Sequence, residues 1–154
     1  MGKRRDARLL AVQFLYQVEV GAKQDLEASL ANFWDTTEAE PALRKLAEPA
    51  IRGVLEQYDS LNEQIKGFSQ NWDLNRMAPV DRNILRLALF EMLHCPDIPP
   101  VVSINEAIDI AKQLSTEESG RFVNGILDRA IKTLDRPARG DANDKPKKTK
   151  KVKQ

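Results

Sequence analysis

From Ala7 to Leu134 apolar residues recur at intervals of three and four, segment after segment, with no convincing alternating stretch. That period is the helical one, and it leaves a chain of this kind little to fold into except packed helices. The first repeat runs through Ala7, Leu10, Ala11, Phe14, Leu15 and Val18, with Gly21 placed to end the helix. Asp25 is a suitable N-cap for a short helix through Leu26, Leu30 and Phe33. Pro41 suits a first helical turn, and Pro49 either kinks the helix behind it or opens the next. Ala50, Ile51, Val54, Leu55, Tyr58, Leu61, Ile65 and Phe68 then form one long stripe, expected to be the central core helix.

A short turn around Asp73–Met77 precedes a helix that starts at Pro79 and is apolar on more than one side, through Val80, Ile84, Leu85, Leu87, Ala88, Leu89 and Met92. Pro96, Pro99 and Pro100 stop helix beyond His94 and predict an extended connection. Ser103-x-x-Glu106 and Ser115-x-x-Glu118 read as capping boxes opening two further amphipathic helices. The sum is an all-α fold of about seven helices. After Pro137 apolar periodicity ends, so residues 1–135 are expected to form one helical domain and 136–154 a disordered lysine-rich tail.

Composition narrows the functional classes. A chain of 154 residues with 42% apolar and 31% charged residues can bury a core, and it contains no run approaching a membrane span. One cysteine, Cys95, fits a reducing compartment, so the cytoplasm is the expected location. His94 beside Cys95 has the wrong geometry for a nucleophile and its base, and no second histidine exists to build a metal site. Phosphate-binding glycine loops and dinucleotide fingerprints are missing. The expectation is a non-enzyme without metal or cofactor.

Charge is unevenly spread. In the tail Arg136, Arg139 and six lysines face Asp141 and Asp144, a net +6. Lys3, Arg4, Arg5 and Arg8 against Asp6 give the N-terminus +3, and the total of +1 leaves −8 for residues 9–135. An acidic body with basic ends suits polyanions at the ends and a basic protein elsewhere. An arginine cluster opening a helix that carries Tyr16, together with Phe122 and Asn124 on another helix, offers cations for phosphate and rings and amides for unstacked bases. Each residue also has a plainer reading. Arginines on a first turn are ordinarily solvated, although the helix dipole disfavours them there. Phe122 would ordinarily pack into the core, Tyr16 is as readily core as surface, and Glu118 would simply cap its helix.

Four segments resemble the NusB family of transcription antitermination factors. They are Arg5-x-Ala7-Arg8-x-x-Ala11-Val12-Gln13-x-Leu15-Tyr16, Ile84 to Glu91, Ile104-Asn105-Glu106-Ala107, and Phe122 to Asp128, in family order and spacing. The resemblance covers about residues 4–135 and implies seven helices in two three-helix subdomains. It further implies binding of the boxA element in ribosomal RNA leaders, as a heterodimer with the small-subunit ribosomal protein NusE. That complex joins RNA polymerase with other Nus factors, and some similar proteins hide the RNA face in a homodimer.

Carried over by residue, the resemblance assigns Arg4, Arg5 and Arg8 to phosphates, and Tyr16, Phe122 and Asn124 to bases. Glu118 stands where the family often has an aspartate that influences RNA binding. Asp81, Arg82 and Glu91 lie on or near the helix whose family counterpart faces NusE, with Asp81 the favoured contact. Arg86, amid apolar residues, is read as partly buried against an acid such as Glu91 or Glu106. The competing reading is a helical protein-interaction adaptor whose basic ends bind polyanions nonspecifically.

Overall fold

The structure is a computed structural model that describes residues 2–21, 25–70, 73–134 and 137. The lysine-rich tail expected from residue 136 falls, Pro137 apart, outside them. The described residues form seven α-helices, one 3₁₀ turn and no strand. In order these are α1 (Lys3–Val20), α2 (Leu26–Thr37), α3 (Pro41–Glu56), α4 (Tyr58–Phe68), the 3₁₀ turn Leu74–Arg76, α5 (Pro79–His94), α6 (Pro100–Leu114) and α7 (Glu117–Ile131). Helices α1 to α3 pack as one group and α5 to α7 as another, with α4 against α3, α5 and α7. The two groups meet chiefly along α1 and α5. No described helix is long and apolar enough to cross a membrane.

The central helix is α5, not the 50–68 stripe. It touches α1, α3, α4, α6 and α7, and Ile84, Leu85, Leu87, Ala88, Leu89 and Met92 are all buried along it. The stripe from Ala50 to Phe68 breaks at Gln57, which leaves helical geometry and divides it between α3 and α4. Its apolar residues are nevertheless core: Ile51, Val54, Leu61 and Ile65 are fully buried. Apolar spacing alone cannot see such a corner, because the stripe continues on both sides of it. Pro49 does not open a helix; it lies inside α3, two turns after Pro41 has started it.

Both capping boxes are displaced as well. Helix α6 starts at Pro100, with Pro99 as N-cap, so Ser103 lies one turn inside. Helix α7 is capped by Thr116, whose hydroxyl accepts from the Ser119 N–H at 3.0 Å, one residue later than the Ser115 frame. Asp25 caps α2 as its sequence context suggests, accepting from the Ala28 N–H.

One close helix contact depends on a missing side chain. At Gly53 on α3 an added Cβ would lie 2.1 Å from Cζ of Phe90 on α5. Alanine would favour the helix there by about 1 kcal/mol, but overpacking costs about 1–3 kcal/mol and should prevail. Gly53→Ala is therefore expected to lower the urea midpoint, and Phe90→Leu in the same chain should recover most of the loss. An unchanged or raised midpoint for Gly53→Ala would mean that the Phe90 ring moves aside freely.

Candidate RNA and partner interface

The polar residues of α5 are not mainly at the surface. Glu91, 5% exposed, receives Arg8 of α1 through two hydrogen bonds, Nε to Oε2 at 2.8 Å and Nη2 to Oε1 at 3.0 Å. The Ser103 hydroxyl of α6 donates to the same carboxylate at 2.6 Å. Arg5 turns to α6, where its Nη2 donates to Glu106 Oε2 at 2.7 Å and to Asp109 Oδ2 at 2.9 Å. The hydrogen bond from Arg5 holds the Glu106 carboxyl below its ordinary range, and the nearby charges of Arg5 and Arg8 add to the effect.

A second network lies at the other end of α1. Glu19 accepts from Arg82 and Asn83, and Arg86 Nη1 reaches its Oε1 at 2.8 Å. Arg86 also donates to Asn62 and Asn83, and its guanidinium stands 4.4 Å over the Tyr58 ring. The acid that balances buried Arg86 is thus Glu19 of α1, rather than Glu91 or Glu106. Burial works against the charge on Glu19, but the hydrogen bonds from Arg86 and Arg82 outweigh it and hold its pKa low.

These networks place most of the charged candidates. Arg5, Arg8, Arg82 and Glu91 are engaged in internal ion pairs, and the latter two bind α1 rather than facing solvent. Arg4, Glu118 and Asn124 are exposed, Tyr16 is 38% exposed, and Phe122 is half-buried against the core. Two clefts gather several of the candidates. One, of about 250 Å³, is apolar and lies between α1, α3 and α5; Arg4, Arg8 and Glu91 contribute to its lining. The other, of about 310 Å³, lies between the 3₁₀ turn and the starts of α5 and α7. It brings together Asp81, Glu118 and Phe122, and adds Arg76, Thr116 and Ser119, which sequence reasoning passed over. The displaced cap frame Thr116-x-x-Ser119 is the signal that could have found the last two. Neither cleft is lined by Tyr16 or Asn124.

Asp81 is the exceptional group in the second cleft. It is 7% exposed, its Oδ2 accepts weakly from the Ser119 hydroxyl at 3.3 Å, and its Oδ1 has no partner. Burial pushes its pKa above the ordinary aspartate value, and the Ser119 hydrogen bond offsets this only in part. Among the described residues no group of three or more His, Cys, Asp or Glu side chains could hold a metal ion.

Residues 5–132 match the model of the NusB family. The chain belongs to that family. It is 45% identical over 138 residues to the transcription antitermination protein NusB of Methylacidiphilum infernorum (isolate V4), covering 90% of this chain and 96% of that one. Against the NusB of Myxococcus xanthus (strain DK1622) the identity is 43%, over 89% of this chain and all of the relative. The solved structure of T. maritima NusB superposes with a TM-score of 0.76 at 44% identity, covering 84% of this chain and 91% of the other. A chain in the crystal structure of antitermination factors NusB and NusE in complex with dsRNA gives a TM-score of 0.77 at 21% identity, covering 87% of this chain and 99% of that one; this shows the shared fold.

The internal pairs generate two expectations. Glu91→Ala leaves the Arg8 guanidinium without its buried partner and should cost about 3–5 kcal/mol in urea denaturation. Arg4→Ala, on an exposed side chain, should stay within about 0.5 kcal/mol. A Glu91→Ala loss no larger than that of Arg4→Ala would show that the clamp does not hold α1. The second expectation concerns pH. Folded Glu19 and Glu106 titrate below their ordinary value of 4.5, so their contribution is complete above it and drains as pH falls through the folded values. Glu19→Gln should be less stable than the parent at neutral pH and lose less on acidification. Parallel pH profiles for the two proteins would remove Glu19 from the acid response.

Proposed function

We propose that this chain is a transcription antitermination protein that binds single-stranded boxA RNA of ribosomal RNA leaders together with NusE, and joins RNA polymerase with other Nus factors. It acts by binding rather than catalysis, and in the cytoplasm. The observation that carries this reading is the family match, supported by relatives at 43–45% identity that bear that functional name along nearly their whole length. The surface is compatible with it. Arg4 and Arg76 are exposed cations, while Tyr16 and Phe122 are rings within reach of solvent or a cleft. Such a set can neutralise phosphates and stack bases.

The internal pairs of Arg5 and Arg8 refine the reading. As ion-pair partners of Glu106, Asp109 and Glu91 they shape the N-terminal face, and a phosphate would have to compete with carboxylates for them. Replacing both would therefore disturb the fold as well as any RNA contact, so Arg4 is the cleaner probe. Arg4→Ala is expected to weaken all RNAs similarly and to reduce the dependence of log affinity on log salt by about 1. An unchanged salt slope would remove Arg4 from the phosphate face.

Binding to a boxA strand and a scrambled strand, at two salt concentrations and with or without NusE, tests the whole reading. Preference for boxA that strengthens with NusE is the expected result. Equal binding of both strands, indifferent to NusE, would leave a helical adaptor with nonspecific polyanion affinity.

A further inference from the structure

Helix α3 carries more apolar surface than the core takes up. Ala47, Ile51 and Val54 form its buried stripe. Beside them Leu46, Pro49 and Ala50 make a second line at helical spacing, and of these Leu46 and Pro49 are exposed. The second line borders the cleft of about 250 Å³ between α1, α3 and α5, which Leu87 and Phe90 also line. A shallower hollow of about 560 Å³ runs along α3 from Pro41 to Arg52. Pro49 lines both, so the two hollows adjoin at its ring. At 1.5 Å per residue the stretch from Pro41 to Arg52 is about 16 Å long, or three helical turns. An apolar groove of that length, left open on a helix face, marks an interaction surface.

The groove is also of one sign. Arg4, Arg8, Arg44, Lys45 and Arg52 line the two hollows, against Glu48 and Glu91 alone. Both carboxylates are already neutralised, Glu91 by Arg8 and Glu48 by Arg44 and Arg52. Lys45 is exposed and takes part in no ion pair among the described residues. We propose that this groove is the docking site of an acidic amphipathic helix from a partner protein, separate from the boxA and NusE contacts. The helix seats its apolar stripe, at i, i+3/i+4 and i+7, on Leu46, Pro49 and Ala50, and turns its carboxylates toward Lys45 and the flanking arginines. Charge decides against the other occupants. The chain's own residues 136–154 carry a net +6, the wrong sign for this groove, and a basic partner is directed to the acidic remainder of the surface. A second copy laid groove to groove would oppose cations with cations. Single-stranded RNA needs free ring faces, whereas Phe90 is the one ring among the lining residues and is packed over Gly53.

The test uses three designed helical peptides of about 16 residues, long enough to hold a helix. All carry leucine at i, i+3, i+4 and i+7, and they differ in having Glu, Gln or Lys on both flanks. Binding to the full chain is followed by fluorescence anisotropy. The Glu peptide is expected to bind and to weaken as salt rises, the Gln peptide to bind about tenfold less tightly, and the Lys peptide not to bind. Leu46→Ser and Lys45→Glu alter exposed side chains, so both proteins should fold like the parent. Each should weaken the Glu peptide about tenfold. Leu46→Ser should weaken the Gln peptide as well and Lys45→Glu should not, which separates the apolar seat from the charge. Affinity for a boxA strand should be the same in all three proteins.

Failure of the Glu peptide to bind the parent would overturn the docking site, as would equal affinity for all three peptides or binding indifferent to both substitutions. Loss of boxA affinity in Lys45→Glu with no peptide bound would overturn it too, and would give the groove to RNA. A parent dimer that Leu46→Ser dissociates would show the groove closed by a second copy, and the acidic partner would fall. Preference for acidic flanks that both Leu46→Ser and Lys45→Glu reduce, with RNA affinity intact, is the result that establishes the groove as a separate protein surface.

Discussion

The antiparallel clamp between α1 and α5 is the constraint on which the two halves of the molecule depend. Arg8 near the start of α1 meets Glu91 near the end of α5, and Glu19 near the end of α1 meets Arg82, Asn83 and Arg86 near the start of α5. Buried charges cost several kcal/mol each to desolvate, about as much as good pairing returns, so their net contribution to stability is small. Their consequence is for register. Sliding α1 by one turn along α5 would exchange one apolar contact for another, but would pull Arg8 from buried Glu91 and Glu19 from Arg82 and buried Arg86. Apolar packing permits several alignments of two helices; the clamp admits one. Since α1 also carries α3 and α5 carries α6 and α7, fixing this pair fixes both groups.

Much of this was legible in the sequence, and what was not has a common cause. Helix number, the start at Pro79, the Asp25 cap and the breadth of the α5 apolar face follow from local pattern and local chemistry, which a sequence displays directly. The corner at Gln57 carries no proline, no glycine and no change of period, so the 50–68 stripe reads as one helix. Ser103 and Glu106 have the spacing of a capping box, but Pro100 already begins the helix, and both side chains serve partners far along the chain, Glu91 and Arg5. That Arg86 needed a buried acid was clear from its apolar neighbours. That the acid is Glu19, 67 residues away, is a tertiary fact no spacing contains.

The same distinction applies to the candidate site. Aromatic and basic residues were found by chemistry and by resemblance, and Phe122, Glu118 and Asp81 do share a cleft. Arg76 was missed because a lone arginine in a short polar turn carries no pattern. Asp81 was assigned to a protein partner because the resemblance turns the Pro79 helix toward NusE and an acidic body suits a basic protein. Its burial, and the lack of any cation near enough to neutralise it, appear only when α7 is laid across the start of α5.

Three of the segments that carry the family resemblance also carry much of the internal ion pairing. Arg5 and Arg8 lie in the first, Arg86 and Glu91 in the second, and Glu106 in the third. These residues have an explanation that does not involve RNA, since each is engaged in an ion pair within the fold. The resemblance is therefore first a statement about how α1, α5 and α6 are held together, and functional weight shifts to polar groups and rings that no internal pair explains. Arg4, Arg76, Tyr16 and Asn124 are exposed, and Asp81 is buried without an adequate partner. Of these, the exposed groups cost the fold nothing and would be tolerated without a function. Asp81 alone imposes a cost on the fold that a neutral residue of the same shape would avoid.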